Sequence, residues 1–207
     1  MVDYLCTVIH VEMTKAEKTR QFIIEKSAPI FNTKGVSGTV MTDIMEATKL
    51  AKGSLYAHFE NKEDLSYAAV DHNMEILKSQ TKKALNKHKT ARGKIIGLLN
   101  LFSDPLNHPV YGGCPMLNFG MESDDTSPII LAKVAAMIKE AQKELKDIVD
   151  KGIEHGEFMA DWDSRKFAIK VFALMEGGNL ISRTTRSNAQ MKIIVQIIKD
   201  EIEVNTI

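Results

Sequence analysis

The sequence of 207 residues is poor in cysteine and proline and carries no excess charge of either sign. Its two cysteines, Cys6 and Cys114, are too few for a disulfide framework or a zinc site. Lys and Arg number 27, as do Asp and Glu, so an anionic partner must be met by a local patch. No apolar run approaches the roughly 18 residues of a membrane span. Residues 1–12 lack the basic start of a signal peptide. We therefore expect a soluble, cytoplasmic protein.

Helical spacing of apolar residues dominates the chain, and the alternation typical of strands is nearly absent. The clearest case is Ile95, Leu98, Leu99 and Phe102, which share one helical face. The pattern, together with capping residues and helix breakers, predicts an all-α protein of about nine helices. These are expected over residues 15–33, 40–48, 51–59, 61–86, a helix through 95–102, then 116–122, 127–155, 164–185 and 188–204.

Two of these expected helices are very short and stand between longer ones. Isolated helices of that length are marginal in water, so residues 40–48 and 51–59 favour a helix-turn-helix, a brace helix followed by a recognition helix. In the second helix Leu55 and Phe59 face inward, four residues apart. The outward residues can approach DNA closely or donate to phosphate oxygens and base edges; they are Lys52, Gly53, Ser54, Tyr56 and His58.

Two residues that flank these helices complete the expected DNA-facing set. Thr39 is the expected N-cap of the brace helix. Lys62 opens the next long helix, where its charge and the helix dipole both favour a phosphate.

Three stretches of this region match a known pattern in order, spacing and residue type: residues 39–47 (TVMTDIMEA), 52–59 (KGSLYAHF) and 61–65 (NKEDL). With them, residues 15–65 resemble the N-terminal signature of the tetracycline-repressor (TetR) family of bacterial transcriptional regulators. The resemblance implies that residues 52–58 enter the major groove. It further implies that Thr42 contacts the DNA backbone and that Tyr56 and Lys62 clamp phosphates.

The turn between the two short helices departs from the family's pattern. The family usually has Ala-Gly-Val-Ser there, whereas residues 48–51 are Thr-Lys-Leu-Ala, and Met45 stands where alanine is common. Without the glycine, another residue must take a positive φ at modest cost. Residues 13–64 also hold eight basic and seven acidic side chains, a weak footprint for DNA binding. A helical dimer that no longer binds DNA therefore stays an alternative.

The remainder of the chain agrees with the family in the number and order of its helices. The resemblance implies a ligand-binding and dimerisation domain, in which the last two helices, within residues 164–204, form a four-helix bundle with a second copy. Gly177 and Gly178 would allow close approach of the helices. Apolar side chains could line a ligand cavity or simply fill the core. The candidates, with Cys114, are Phe102, Tyr111, Met116, Phe119, Met137, Phe172 and Met175.

Cys114 carries two further alternatives. It lies at the start of a short helix, where the pKa of a thiol can be lowered, and some similar regulators with a Gly-Cys element respond to electrophiles or oxidants. Cys114 is therefore either the reactive thiol of a sensing regulator or a small buried residue. Catalysis with Cys114 as nucleophile and His108 or His155 as base lacks an evident oxyanion donor set, so we expect no enzyme. The histidine spacing predicts no metal site, and no cofactor is expected.

A run of basic residues with no acid between Glu75 and Asp104 has two interpretations. It is either a solvated helix end or a patch that attracts nucleic acid or an anionic effector. Its members are Lys78, Lys82, Lys83, Lys87, Lys89, Arg92 and Lys94.

These observations predict a homodimeric repressor that reads a pseudo-palindromic double-stranded DNA operator. Its recognition helices must sit about 34–36 Å apart. A small, apolar effector would release DNA by preferring the conformation with another separation. Residues 1–14 are either an N-terminal arm or an upstream extension. We expect a DNA-binding domain over 15–61 and a ligand-binding and dimerisation domain over 62–207.

Overall fold

The computed structural model describes residues 13–207, so the predicted arm lies almost wholly outside the described residues. Over this range the chain forms nine α-helices and one short 3₁₀ turn, which confirms the all-α prediction. None of these helices is long and apolar enough to cross a membrane. The elements are α1 (Lys15–Gly38), α2 (Met41–Thr48), α3 (Lys52–Tyr56), α4 (Lys62–Leu85), α5 (Ala91–Phe102), the turn Pro105–Asn107, α6 (Pro115–Ser123), α7 (Pro128–Glu154), α8 (Ser164–Thr185) and α9 (Ala189–Val204).

Helix α1 runs beyond its predicted end at residue 33. The expected stop, Gly35, has φ 75° and ψ 170°, and helical hydrogen bonding resumes for one further turn. The prediction of Thr39 as the N-cap of α2 was wrong, because Val40 occupies that position. The Val40 amide is held by the carboxylate of Asp43, while the Thr39 hydroxyl donates to the Gly35 carbonyl.

The turn after α2 contains the positive φ that the missing glycine predicted. Lys49 adopts the left-handed conformation, with φ 58° and ψ 24°, and its amide donates to the carbonyl of Met45. The following Leu50 amide donates to the Thr48 hydroxyl. A lysine therefore closes α2 where a glycine would be unstrained.

The buried side chains form two apolar clusters. The first joins α1–α4 to α6 and the first half of α7 and includes the fully buried Phe31, Ile44 and Phe119. The second joins α5 to the rest of α7, α8 and α9. The core of the first three helices is thus continuous with α4, α6 and α7, which gives the predicted DNA-binding helices a rigid support.

Two asparagines fasten the start of α6 to α1. The buried Asn32 amide donates to the carbonyls of Tyr111 and Gly113 at 2.7 and 3.0 Å. Asn118 of α6 donates in return to the Asn32 carbonyl at 2.9 Å. The loop reaches these contacts because Gly112 and Gly113 have φ values of 93° and 100°.

The far end of α6 is fastened to the end of α1 by one carboxylate. Glu122 accepts the amides of Val36 and Ser37 at 2.8 and 2.7 Å. The φ of 75° favours glycine at position 35, and a Cβ atom there would lie 2.7 Å from this carboxylate and displace it. Lys62 of α4 donates to the Val36 carbonyl on the other side of the same turn.

Replacing Lys49 with glycine is expected to stabilise the protein by about 0.5–1 kcal/mol, because the strain of a left-handed Cβ is relieved. The measurement is the urea midpoint at fixed protein concentration. Lys49→Ala is the matched control, since it removes the side chain but keeps the Cβ. A gain of equal size in both variants would contradict this account.

Replacing Glu122 with glutamine leaves one good acceptor for two amides. We expect hydrogen exchange at Val36 and Ser37 to accelerate about ten- to hundredfold, measured by NMR. Asp125→Asn, which neutralises an exposed carboxylate just beyond α6, is the control and should leave these amides unchanged. Unchanged exchange in Glu122→Gln would show that the carboxylate does not hold this turn.

Candidate DNA interface and ligand cavity

The predicted recognition helix is shorter than expected, since only Lys52–Tyr56 is helical. Its inward side is fixed as predicted: Leu55 is 1% and Phe59 4% exposed. The guanidinium of Arg20 from α1 stacks over the Phe59 ring at 4.6 Å. This anchoring holds a five-residue helix that would not persist alone.

The outer side of α3 is open. Lys52, Gly53 and Tyr56 are exposed, and Ser54 and His58 are half-buried. The Lys52 ammonium lies 5.7 Å from the Tyr56 ring, and a Cβ built at Gly53 would meet nothing within 4 Å. Thr42 of α2 is also exposed. The helix-turn-helix therefore presents uncharged donors, one lysine and a bare stretch of backbone.

Two predicted DNA-facing residues are engaged inside the chain instead. Thr39 is fully buried, with its hydroxyl on the Gly35 carbonyl, so its side chain is out of reach of DNA in this conformation. The Lys62 ammonium donates to the carbonyls of Val36 and Thr39 at 2.8 and 3.1 Å. These two bonds hold the ammonium against the end of α1 and leave it one N–H donor for a phosphate.

The start of α2 is held to α1 by an ion pair. The Lys34 ammonium lies 2.7 Å from the Asp43 carboxylate, and this hydrogen bond lowers the pKa of Asp43. The same carboxylate accepts the Val40 amide and caps α2. Asp43 therefore stabilises the start of α2, and Lys34 neutralises part of its negative charge.

A cavity of about 1050 Å³ lies among α4, α5, α7 and α8, with the loop and first turn of α6 forming part of its wall. Its size suits a drug-sized organic molecule. Six of the predicted cavity residues line it: Phe102, Cys114, Met116, Met137, Phe172 and Met175.

Two of the predicted cavity residues lie elsewhere. Tyr111 is 73% exposed, because the loop before α6 turns its side chain to solvent while its carbonyl binds Asn32. Phe119 is 1% exposed and belongs to the first apolar cluster. It borders a separate, smaller cavity of about 190 Å³ beside α1 and α4. Helical periodicity identified Phe119 as inward-facing but could not say toward which space.

The inner wall of the cavity contains polar groups that the sequence analysis missed. Glu176 and Asn179 follow Phe172 at the four- and seven-residue spacing of one helical face, which was the available signal. One oxygen of Glu176 accepts the Cys114 thiol at 3.2 Å, and the other is buried without a partner. The Asn179 amide oxygen is likewise buried and unpaired in the described structure.

Burial governs the titration of this wall. It raises the pKa of the Glu176 carboxyl and, with the adjacent Glu176 charge, raises the pKa of Cys114 well above its ordinary value. Of the two alternatives for Cys114, the small buried residue agrees with the structure and the lowered thiol pKa does not, because α6 presents Cys114 to an apolar and acidic environment. Its thiol donates to Glu176, so the geometry does not favour a thiol sensor or a nucleophile activated by histidine.

The His108 side chain lies in the same wall, and its imidazole ring is neutral. Burial lowers its pKa to about 4, and its Nδ1 accepts the Val110 amide at 3.1 Å. The ring stacks on Phe102 with centroids 5.8 Å apart. His108 therefore adds aromatic surface to the cavity and no positive charge at neutral pH.

The outer part of the cavity carries charges of both signs. Lys78, Lys82, Lys89 and Lys94 of the basic run line it together with Glu75, Glu140, Glu144 and Asp147. Lys78 pairs with Glu140 and Lys143 with Asp147. The run is therefore not a uniformly positive patch at this opening.

Comparisons with known proteins agree with this architecture. Residues 93–198 match the family described as "Tetracyclin repressor-like, C-terminal domain", and residues 23–69 match "Bacterial regulatory proteins, tetR family". The HTH-type transcriptional repressor DhaR of Mycobacterium sp. (strain GP1) is 23% identical over 179 residues, 86% of this chain and 89% of that protein. The probable acrEF/envCD operon repressor of Escherichia coli (strain K12) is 38% identical over 80 residues, 38% of this chain and 34% of that protein.

Solved structures are similar over nearly the whole chain. A TetR-family transcriptional regulator from Cytophaga hutchinsonii is 39% identical, with a TM-score of 0.87, and the match covers 95% of this chain and 98% of that one. A TetR transcriptional regulator from Chloroflexus aurantiacus is 34% identical, with a TM-score of 0.88 and coverage of 94% and 98%. Since both the family's sequence patterns and a relative of 39% identity extend over this architecture, the chain belongs to the tetracycline-repressor family of bacterial transcriptional regulators.

Proposed function

We propose that this DNA-binding regulator is a homodimeric repressor, released from its operator by a small molecule bound in the large cavity. The observation that carries the proposal is the position of α6. Its first residues line the cavity, and both of its ends are bonded to α1 of the DNA-binding helices. A ligand that moves α6 would therefore move α1.

DNA contact is proposed through the open face of α3 and the exposed end of α2. Lys52, Tyr56 and Thr42 can donate to phosphate oxygens, and the uncovered backbone at Gly53 permits close approach to a base edge. Ser54 on the same helix and His58 just beyond it would contact base edges or phosphate oxygens. Since few cations take part, the salt dependence of binding should be modest.

Dimerisation is proposed through α8 and α9, where large apolar side chains face solvent. Leu180, Ile193 and Ile197 are 54%, 61% and 53% exposed, and Ile169 and Val204 continue the apolar surface. Ile193 and Ile197 lie one helical turn apart on α9. Exposed apolar side chains of this kind, on two adjacent helices of a regulator that reads two half-sites, are best covered by a second copy of the chain.

Coupling is proposed to run from the cavity through α6 to the turn at Gly35. The effector needs only a differential affinity for two positions of α6 in order to shift the separation of the recognition helices. The bonds of Asn32 and Glu122 then decide how much of that movement reaches α1.

Removing the Tyr56 hydroxyl is expected to weaken operator binding about tenfold, through the loss of a phosphate hydrogen bond in each protomer. The measurement is fluorescence anisotropy on duplex DNA from the upstream region of the protein's own gene, with a scrambled duplex beside it. Tyr111→Phe is the control, because it removes an exposed hydroxyl from the loop before α6, outside the helix-turn-helix. Equal, weak binding of the wild type to both duplexes would instead favour a distant operator or a dimer that no longer reads DNA.

Placing a charge on the α9 face by Ile193→Glu is expected to shift the protein from dimer to monomer in sedimentation velocity. Operator affinity should fall with it, because a monomer reads only one half-site. Ile129→Glu charges an isoleucine that is 50% exposed on α7 and should leave the dimer intact. A dimer that persists in Ile193→Glu would place the interface elsewhere.

A further inference from the structure

We propose that the cavity recognises an organic cation, a protonated primary or secondary amine on an apolar body, whose N–H groups pair with Glu176. This inference rests on the proposed effector cavity and specifies the chemistry of its ligand.

The first argument is an imbalance of hydrogen-bonding groups at the inner wall. One Glu176 oxygen and the Asn179 amide oxygen are buried and have no partner. While Glu176 is ionised, both of these oxygen atoms can only accept hydrogen bonds. Buried acceptors left unpaired are costly, so the wall is completed by a ligand that brings donors.

The second argument is the absence of a positive side chain to balance Glu176. Across residues 13–207 the ion pairs do not include Glu176, and its one hydrogen-bond partner there is the neutral Cys114 thiol. Two basic groups lie near this wall: His108 is uncharged at neutral pH, and Arg183 of α8 is close enough to lower the pKa of His108 but forms no ion pair with Glu176. A cationic ligand would supply the missing charge and turn a buried, destabilised carboxylate into a paired one.

The third argument is the character of the surrounding surface. Phe102, Phe172, Met116, Met137 and Met175 contribute apolar and aromatic area around the carboxylate. Aromatic faces attract a cation held close to them, and methionines adapt to an irregular hydrocarbon shape. A small hydrophilic cation would leave this area unfilled, whereas an amphiphilic amine buries its body there and directs its ammonium group to Glu176.

The test compares three probes with the same ten-carbon chain and different charge: decylamine, decanol and decanoate. Each is titrated into the full-length protein by isothermal titration calorimetry near neutral pH, below its aggregation concentration. We expect decylamine, a cation under these conditions, to bind about ten- to hundredfold more tightly than decanol, with decanoate weakest.

Three variants test whether Glu176 is the source of the preference for a cation. Glu176→Gln is nearly isosteric and should reduce the ratio of decylamine to decanol affinity to about one while leaving decanol binding in place. Glu144→Gln removes a carboxylate from the outer part of the same cavity and should keep the wild-type ratio. Glu176→Asp, which retains the charge, should keep part of the preference and serves if Glu176→Gln unfolds.

The outcomes separate this inference from the function on which it depends. Binding of all three probes with equal affinity, or a preference for decanoate, would overturn the cation proposal and leave the cavity as a binding site. A cation preference that survives Glu176→Gln would also overturn it, because the charge would then be read elsewhere. Failure of all three probes to bind would count against both the cation and the effector cavity.

Discussion

Helix α6 is fastened to α1 at both of its ends, by the paired amides of Asn32 and Asn118 and by the carboxylate of Glu122. The Asn32 bonds are buried or partly buried, so a lost partner there leaves a poorly solvated amide or carbonyl, and separate movement of the two helices is disfavoured. Since α6 also begins at the cavity wall, the same bonds connect that wall directly to α1. The positive φ of Gly35, Gly112 and Gly113 is what makes the contacts geometrically possible.

The cavity combines an apolar lining with one charge that its protein neighbours do not balance. The Cys114 thiol satisfies one oxygen of Glu176. Burial and then the Glu176 charge raise the pKa of Cys114, so the cysteine acts as a hydrogen-bond donor rather than a reactive thiolate. The neutrality of His108 follows from the same burial. A site of this kind gains most from a ligand that arrives with donors and positive charge.

The exposed face of α3 shows how a chain with no net charge can still present groups that are able to bind phosphate. Asp43 is occupied by Lys34 and by the cap of α2, which leaves the cation and hydroxyl groups of α3 outermost. In the proposed dimer, a second copy held at α8 and α9 would double the small number of phosphate contacts that one protomer makes. The small number of cations on α3 therefore makes the proposed dimerisation important for DNA affinity.

The sequence by itself determined the elements that follow from local physics. Apolar periodicity and capping residues predicted the helices, and spacing across three of them identified the family; the missing glycine predicted the strained residue that proved to be Lys49. Only the tertiary structure decided which inward residues share a space. Phe119 and Met116 face the same buried cluster, yet Met116 also lines the large cavity and Phe119 borders the smaller one. The partners of Thr39, Lys62 and Glu122 lie 4, 26 and 86 residues away, and the latter two were set by packing between helices, which a periodic pattern does not encode.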